Sequence, residues 1–392
     1  MSREQLLAMA RHEIENLSKN QITLADDVYR VPAGNYINQE RWELEVDRIF
    51  KRLPLALGFS CEMREPGQYQ SLSVMGNPVL MVRGNDGVMR AFMNMCSHRG
   101  AIIAAEGCGE AKGFRCPYHA WSYDLEGRLV SVFDNKNFGD INRSEYGLTP
   151  LPCEERAGVV WVTLTPNSNV EIDSFLAGYG EVMEDLGFKD MHVVGRNYLE
   201  GPNWKVAYDG YRDLYHIPIL HRNSFGPDAA YQPDFFHFGS HCRMISPKNH
   251  DRLADLPEEQ WTNEMLTPGV WTIFPNCSIA GGSGSGFMFS QMFPGKTPTE
   301  SFTVQTFLQP GRDDSNDDRA EIEKRMAFLK VVVNEEDYIT GKGIQRAIAT
   351  GAKTHLLFGR NEGGGQQFHK WVDALVHTED KDVPQLLAAG VK

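Results

Sequence analysis

Two stretches of the chain carry residues whose types and spacing could bind metal. In the first, CSHRG supplies Cys96 and His98, and CPYHAW supplies Cys116 and His119. Each stretch offers one thiolate and one imidazole, so two tight loops could grip a compact metal unit between them. A Cys2His2 zinc site uses the same ligand types, but zinc fingers pair like with like in each half. Mixed halves suggest a metal unit whose two ends differ. In the second stretch, DLYHIPILH holds Asp213, His216 and His221. Two neutral imidazoles and a carboxylate form the facial triad that holds non-haem Fe(II) and leaves positions open for oxygen.

Periodicity says which element presents these groups. On a helix drawn from Asn203, Trp204, Tyr208, Tyr211 and Tyr215 share a face that should pack into the core, while Asp209, Asp213 and His216 gather opposite. Pro218 should end regular hydrogen bonding and swing His221 back beside His216. A third ligand must come from VVVNEEDYITGKGIQ. With Met326 as origin on a long helix from about Asp318 to Thr350, the residues Leu329, Val333, Asp337, Ile344 and Ile348 all fall within about 60° of it. Glu335 points away and Glu336 to the flank. A carboxylate on an apolar stripe is costly unless paired or metal-bound, which singles out Asp337; the alternative is an Asp capping a helix break at Gly341 and Gly343.

The remaining texture organises the chain around these groups. At 392 residues, two domains are the natural expectation. Residues 1–20 read as an amphipathic helix and NQERWELEVDRIFKRL as a second. From about 54 to 165, short alternating runs broken by Gly, Pro and Asn read as a small antiparallel β domain. Beyond that, GVWTIFPNCSIAGG, GFMFSQMFPG and ESFTVQTFLQPG read as strands of one antiparallel sheet. GGSGSG at 281–286 lacks the Lys-Ser/Thr of a phosphate loop and reads as a hairpin, and RDDSNDDRAEIEK as a solvated loop leading into the long helix. A net charge of −13 argues against nucleic acid or an anionic membrane as partner. No segment has signal-peptide or membrane-span character, so the cytoplasm is expected. Seven cysteines in no regular framework fit buried thiols or metal ligands in a reducing compartment.

The paired Cys/His loops resemble the Rieske [2Fe–2S] signature. The resemblance implies that Cys96 and Cys116 ligate the inner iron and His98 and His119 the outer one. Ala101, Tyr118 and Ala120 stand where respiratory Rieske proteins carry two further cysteines and a serine. Fewer hydrogen bonds to the sulfurs would lower the potential into the range serving oxygenases and their ferredoxins. NWKVAYDGYRDLYHIPILH in turn resembles the N-W-K…D-x-x-H-x4-H motif of Rieske non-haem iron aromatic ring-hydroxylating oxygenases, catalytic α subunit. The likeness spans about residues 40 to 375, and Gln345, eight residues after Asp337, agrees with it.

Membership in that family would imply an α+β chain: an N-terminal helical segment (1–45), an all-β Rieske [2Fe–2S] domain (46–165) and a C-terminal helix-grip domain of antiparallel sheet and helices (166–392). It would make His216 and His221 ligands of a mononuclear Fe(II), and Asp213 the acid bridging the cluster of one subunit to the iron of the next in a homotrimer or α3β3 assembly. The expected activity is O2-dependent hydroxylation, cis-dihydroxylation above all, of an aromatic or similar apolar substrate. Monooxygenation or O-/N-demethylation is the alternative, and a Rieske electron carrier fused to a ligand-binding domain the rival from another class. No G-x-G-x-x-G lies between a strand and a helix, so NAD(P)H electrons would arrive through a separate reductase, with or without a ferredoxin. Two departures stand out. Tyr208-Asp209 replaces the Glu-Asn of many relatives, and Arg212 replaces a small residue; Arg212 is expected to pair with Asp209 or to face a substrate carboxylate.

Overall fold

In the computed structural model, which describes residues 2–229, 231–311 and 319–391, the chain divides into two compact units, 50–172 and 1–49 with 173–392.

The smaller unit is all-antiparallel. Its five-stranded sheet runs in the order Pro150–Leu151, Met89–Met93, Asn77–Arg83, Gln68–Val74, Gly107–Glu110. A three-stranded sheet joins Cys153–Arg156, Val159–Val162 and Leu55–Phe59, and a small ribbon joins Phe114–Arg115, Ser122–Tyr123 and Leu129–Ser131. The loop carrying Cys96 and His98 leaves the strand Met89–Met93, and the loop carrying Cys116 and His119 closes the hairpin of the ribbon. Leu80, Val82, Phe92, Trp121 and Tyr123 pack beneath both loops as one buried cluster with the two cysteines. Buried Asn94 fixes the first loop: its amide donates to Ser71 Oγ (2.9 Å) and Ala104 O (2.7 Å), and its oxygen accepts from the N–H groups of Ile103 and Ala104.

The larger unit is built on a seven-stranded antiparallel sheet of β1 (Met191–Gly201), β2 (Asp234–Phe238), β3 (His241–Ile245), β4 (Val270–Ile273), β5 (Cys277–Gly282), β6 (Gly286–Pro294) and β7 (Ser301–Pro310), in the order β1-β7-β6-β5-β4-β3-β2. The glycine-serine run closes the β5–β6 hairpin, with Ser285 N donating to Gly282 O. Helix Trp204–Tyr211 packs on β6 and β7. Its N-W-K start is an anchor: Asn203 caps the helix by accepting from Lys205 N (2.8 Å), and Trp204 Nε1 and the buried ammonium of Lys205 both donate to the buried carboxylate of Glu45 in helix Gln39–Glu45. Buried Gln345 accepts from Asn203 N (3.2 Å). At Gly341 a Cβ would lie 2.8 Å from Pro202, so only glycine lets helix Ile339–Ile348 approach this closely.

Three expectations of local structure are corrected. Helix Trp204–Tyr211 ends five residues before His216, because the Asp213 carboxylate accepts from Tyr215 N (2.5 Å) and competes with helical pairing; Tyr215, expected in the core, is 55% exposed. Pro218 starts a helix rather than ending one, standing in the first turn of Ile217–Leu220 where its missing N–H costs nothing. The long helix is interrupted: Arg319–Val332 and Ile339–Ile348 flank a π turn at Val333–Tyr338. The inserted residue shifts the apolar stripe from Ile322, Met326, Leu329 and Val333 to Tyr338, Gly341, Gln345 and Ile348, and Ile344 is left 40% exposed. The acidic loop at 312–318 lies outside the described residues.

Candidate metal centres

The two Cys/His loops repeat one hydrogen-bond pattern. Cys96 N donates to Ala101 O (2.9 Å) and Cys96 O accepts from Gly100 N (2.9 Å); Cys116 N donates to Trp121 O (2.8 Å) and Cys116 O accepts from Ala120 N (3.0 Å). Gly100 and Ala120 hold the same position with positive φ, 75° and 55°; the alanine bears a cost of about 1–2 kcal/mol there. Both thiols are buried and free of disulfides. The rings of His98 and His119 lie 4.6 Å apart, and His98 stacks on Trp121 at 4.9 Å. Both Nδ1 atoms are buried without a hydrogen-bond partner, and an orphaned buried acceptor is costly unless something occupies it. Two free thiols and two orphaned imidazole nitrogens are the donor set a Rieske cluster requires. Tyr123, which the sequence reading did not single out, places its hydroxyl 3.3 Å from Cys96 Sγ while accepting from Ser97 N (3.1 Å); only the register of the hairpin reveals it.

In the larger unit, His216 and His221 flank the helical turn Ile217–Leu220, closed by Leu220 N to His216 O (2.8 Å) and His221 N to Ile217 O (3.0 Å). Their Nε2 atoms come within 3.1 Å. From the π turn, Asp337 Oδ1 lies 3.2 Å from His221 Nε2 and 3.5 Å from His216 Nε2. Ligand atoms of the three residues fall within 4.8 Å of one another, the only such group of three or more among the described residues. Each imidazole is held from behind, Nδ1 of His216 by Asp213 (3.1 Å) and Nδ1 of His221 by Glu336 (2.5 Å), and Ser224 Oγ donates to Glu336. Glu336 and Ser224 are additions to the expected set; a helix drawn at 100° per residue turns Glu336 aside, and the π turn brings it back.

Burial opposes a charged His216, but hydrogen bonds to Asp213 and Asp337 outweigh it and lift the ring to about 9. Burial would raise Asp337, and hydrogen bonds from His216 and His221 bring it below the usual carboxylate range instead. Such a pocket favours positive charge, which a divalent cation supplies in place of the proton.

Asp209 and Arg212 do not pair as expected. Asp209 accepts from Tyr36 Oη (2.8 Å) and meets His369 Nε2 at 2.9 Å. Arg212 is buried and donates to Thr272 Oγ1 (2.7 Å) and Gly364 O (2.8 Å), its guanidinium over the rings of Tyr208 and Phe368. Asp213 therefore keeps His216 as its partner, and Arg212 braces the helix end against β4.

Comparison with known proteins assigns the two regions that hold these residues to known domain families. Residues 54–142 match the Rieske [2Fe-2S] domain, and residues 188–378 match the ring hydroxylating alpha subunit (catalytic domain). The chain is 33% identical over 198 residues to the glycine betaine monooxygenase oxygenase subunit of Pseudomonas aeruginosa, covering 50% of this chain and 46% of that one. It is 30% identical over 281 residues to the benzene 1,2-dioxygenase subunit alpha of Pseudomonas putida, covering 69% and 56%. The chain thus spans about half the length of the curated relatives it matches. A quaternary ammonium Rieske monooxygenase solved with L-carnitine superposes with a TM-score of 0.76 at 22% identity, over 90% of this chain and 97% of that one, which speaks for the fold.

The chain belongs to the Rieske non-haem iron oxygenases, as an oxygenase (α) subunit. Its two domains are those that carry a Rieske [2Fe–2S] cluster and a mononuclear iron. No helix among the described residues is long and apolar enough to cross a membrane.

Proposed function

We propose that the chain is the terminal oxygenase of a multicomponent system, receiving electrons from a separate reductase, with or without a ferredoxin, and placing one oxygen atom of O2 in a C–H bond of an organic substrate while the other leaves as water. In this reading Cys96, Cys116, His98 and His119 hold the cluster, and His216, His221 and Asp337 hold the iron, whose part is to bring O2 and electrons to the reacting carbon. Asp213 and Glu336 fix the two imidazoles by their far nitrogens, so each presents Nε2 to the metal. Asp213 is also the relay to a neighbouring copy of the chain; its side chain is 24% exposed, which leaves it within a partner's reach.

The observation that carries this reading is the convergence of His216, His221 and Asp337, for which a pure electron carrier has no use. Monooxygenation is favoured over the cis-dihydroxylation expected of an aromatic substrate because several curated relatives are named as glycine betaine and carnitine monooxygenases. Dihydroxylation stands as the second reading on the strength of the benzene 1,2-dioxygenase relative, which spans more of the chain. The test is iron content and turnover under 18O2. Three irons per chain and one labelled oxygen in the product are expected, with His221→Ala retaining the cluster spectrum and losing the product. Two irons per chain with no labelled product would leave only the carrier.

A further inference from the structure

Past the second Cys/His loop the chain makes an exposed excursion: every residue from Phe133 to Asp140 is exposed. Within it stands a single helical turn, Asn135–Phe138. Asp134 opens the turn in the left-handed region, at φ 51° and ψ 44°, a conformation that costs about 1–2 kcal/mol. Its backbone oxygen accepts from Asn137 N and Phe138 N, both at 3.0 Å, and its carboxylate accepts from Asn137 Nδ2 at 3.0 and 3.1 Å. Gly139, with φ 102°, then turns the chain away. A solvated linker has no reason to carry such strain.

What the turn delivers is the ring of Phe138. It stands edge-on to His98 at 5.5 Å and edge-on to Trp121 at 5.4 Å. Trp121 is buried, lies flat on His98 at 4.9 Å and 9°, and meets Tyr146 edge-on at 5.9 Å. Phe138 therefore closes the corner between Trp121 and His98. The other imidazole is covered differently: His119 meets His98 at 4.6 Å and Tyr118 at 3.7 Å, and Tyr118 is 60% exposed. Phe138 itself is 42% exposed. Burying the rest of its side chain stabilises by about 1–2 kcal/mol, which offsets the strain at Asp134.

Solvent at the ligands of an iron–sulfur cluster stabilises whichever redox state carries more charge. With two thiolates, two sulfides and two neutral imidazoles, a [2Fe–2S] unit is neutral when both irons are ferric and carries a negative charge once reduced. An apolar cover over one imidazole therefore disfavours the reduced state. We infer that the turn 134–139 is a cover for the outer iron: by placing Phe138 against His98 and Trp121 it keeps water from that imidazole and holds the cluster's potential low. Phe138 touches no reacting atom and is a positioning residue, acting through His98. The inference rests on the proposed ligation of the cluster by His98.

The test uses the full chain with both metal centres loaded. Redox titration followed by EPR gives the cluster potential, and pulsed EPR of the reduced cluster in D2O reads the exchangeable deuterons around it. Phe138→Ala should deepen the deuterium modulation and favour the reduced state by up to about tenfold, or 59 mV for a one-electron couple. Iron content and g values should stay as in wild type. Phe138→Tyr, which keeps the ring, should restore both readings, and Asn135→Ala, an uncharged change on the same turn, should move neither. Asn137→Ala removes the latch to Asp134 without touching the ring and should shift both readings in the same direction by less. An unmoved potential or an unmoved deuterium signal in Phe138→Ala overturns the inference; where that variant loses its cluster, the same readings in Asn137→Ala decide. A wild-type cluster without the EPR signature of histidine ligation would instead overturn the ligation by His98, and this inference with it.

Discussion

In the unit 50–172 the four candidate ligands come from two turns with one hydrogen-bond pattern, at Cys96 and at Cys116, whereas the triad of the other unit draws on a helical turn at 216–221 and a π turn at 333–338. The first centre is written in local backbone geometry. Each turn places its own thiol and imidazole, and the surrounding sheet has only to hold two hairpin-like loops side by side. The second depends on the register of a helix distant in sequence, on Gly341 and Gln345 seating that helix against the one from Trp204, and on Glu336 steering His221. The local centre should tolerate changes outside its loops; the assembled one should fail when a supporting element moves by a fraction of a turn.

Deleting exposed Glu335 is the strongest way to break that contrast. With the inserted residue gone the two apolar stripes come into phase on a regular α-helix, and the π turn that aims Asp337 and Glu336 at the two histidines is lost. Mononuclear iron should be lost completely, with helix content and the cluster spectrum retained; iron kept in the deletion would show that the π turn does not set the site. Next in size is Glu336→Gln, which keeps the shape and removes the charge behind His221. Iron affinity, followed by chelator competition, should fall about 10–100-fold, and an unchanged affinity would assign His221 some other support.

Alkaline pH should distinguish the units in a different way. Buried Glu13, in helix Ser2–Lys19, is pushed up to about 9, mainly by burial and then by Asp234, against the opposing pull of Arg243. The folded chain keeps a proton that the unfolded chain releases near 4.5, so this contribution is fully present below that pH and is lost as pH rises through 9. Glu13→Gln, always neutral, should become more stable than wild type over this window, by about 1–3 kcal/mol at pH 9. The gain should appear in thermal unfolding of the larger unit and not in the cluster spectrum of the smaller. Equal pH profiles would mean that Glu13 titrates normally. The smallest effect expected is that of Tyr123→Phe. Losing the hydrogen bond to Cys96 Sγ removes more stabilisation from the electron-rich reduced cluster than from the oxidised one, so a redox titration should find the potential lower by on the order of 40 mV. No shift would mean the hydroxyl serves only Ser97 N.

Residue type and spacing singled out Cys96, His98, Cys116 and His119, and the group Asp213, His216 and His221, as metal-binding candidates, with their separate roles supplied by the family resemblance, because each group is completed within a few residues and local chemistry restricts what can stand there. Asp337 was also legible, as a carboxylate on an apolar stripe, although the helix that carries it is not the regular one the periodicity describes. What only the tertiary structure decided is everything that depends on packing between distant segments. The π turn exists because two apolar stripes one residue out of phase must both face the same core. Asp209 is taken from the metal site by Tyr36 and His369, which reach it from 173 and 160 residues away. Arg212 ends on Thr272 and a backbone carbonyl. The buried polar row of Asn197, Gln305, Ser290, Ser278 and Thr272 emerges only from strand register, because each of its members, read in its own strand, is an ordinary serine, threonine or amide, and pairing across five strands is a long-range choice that local sequence does not encode.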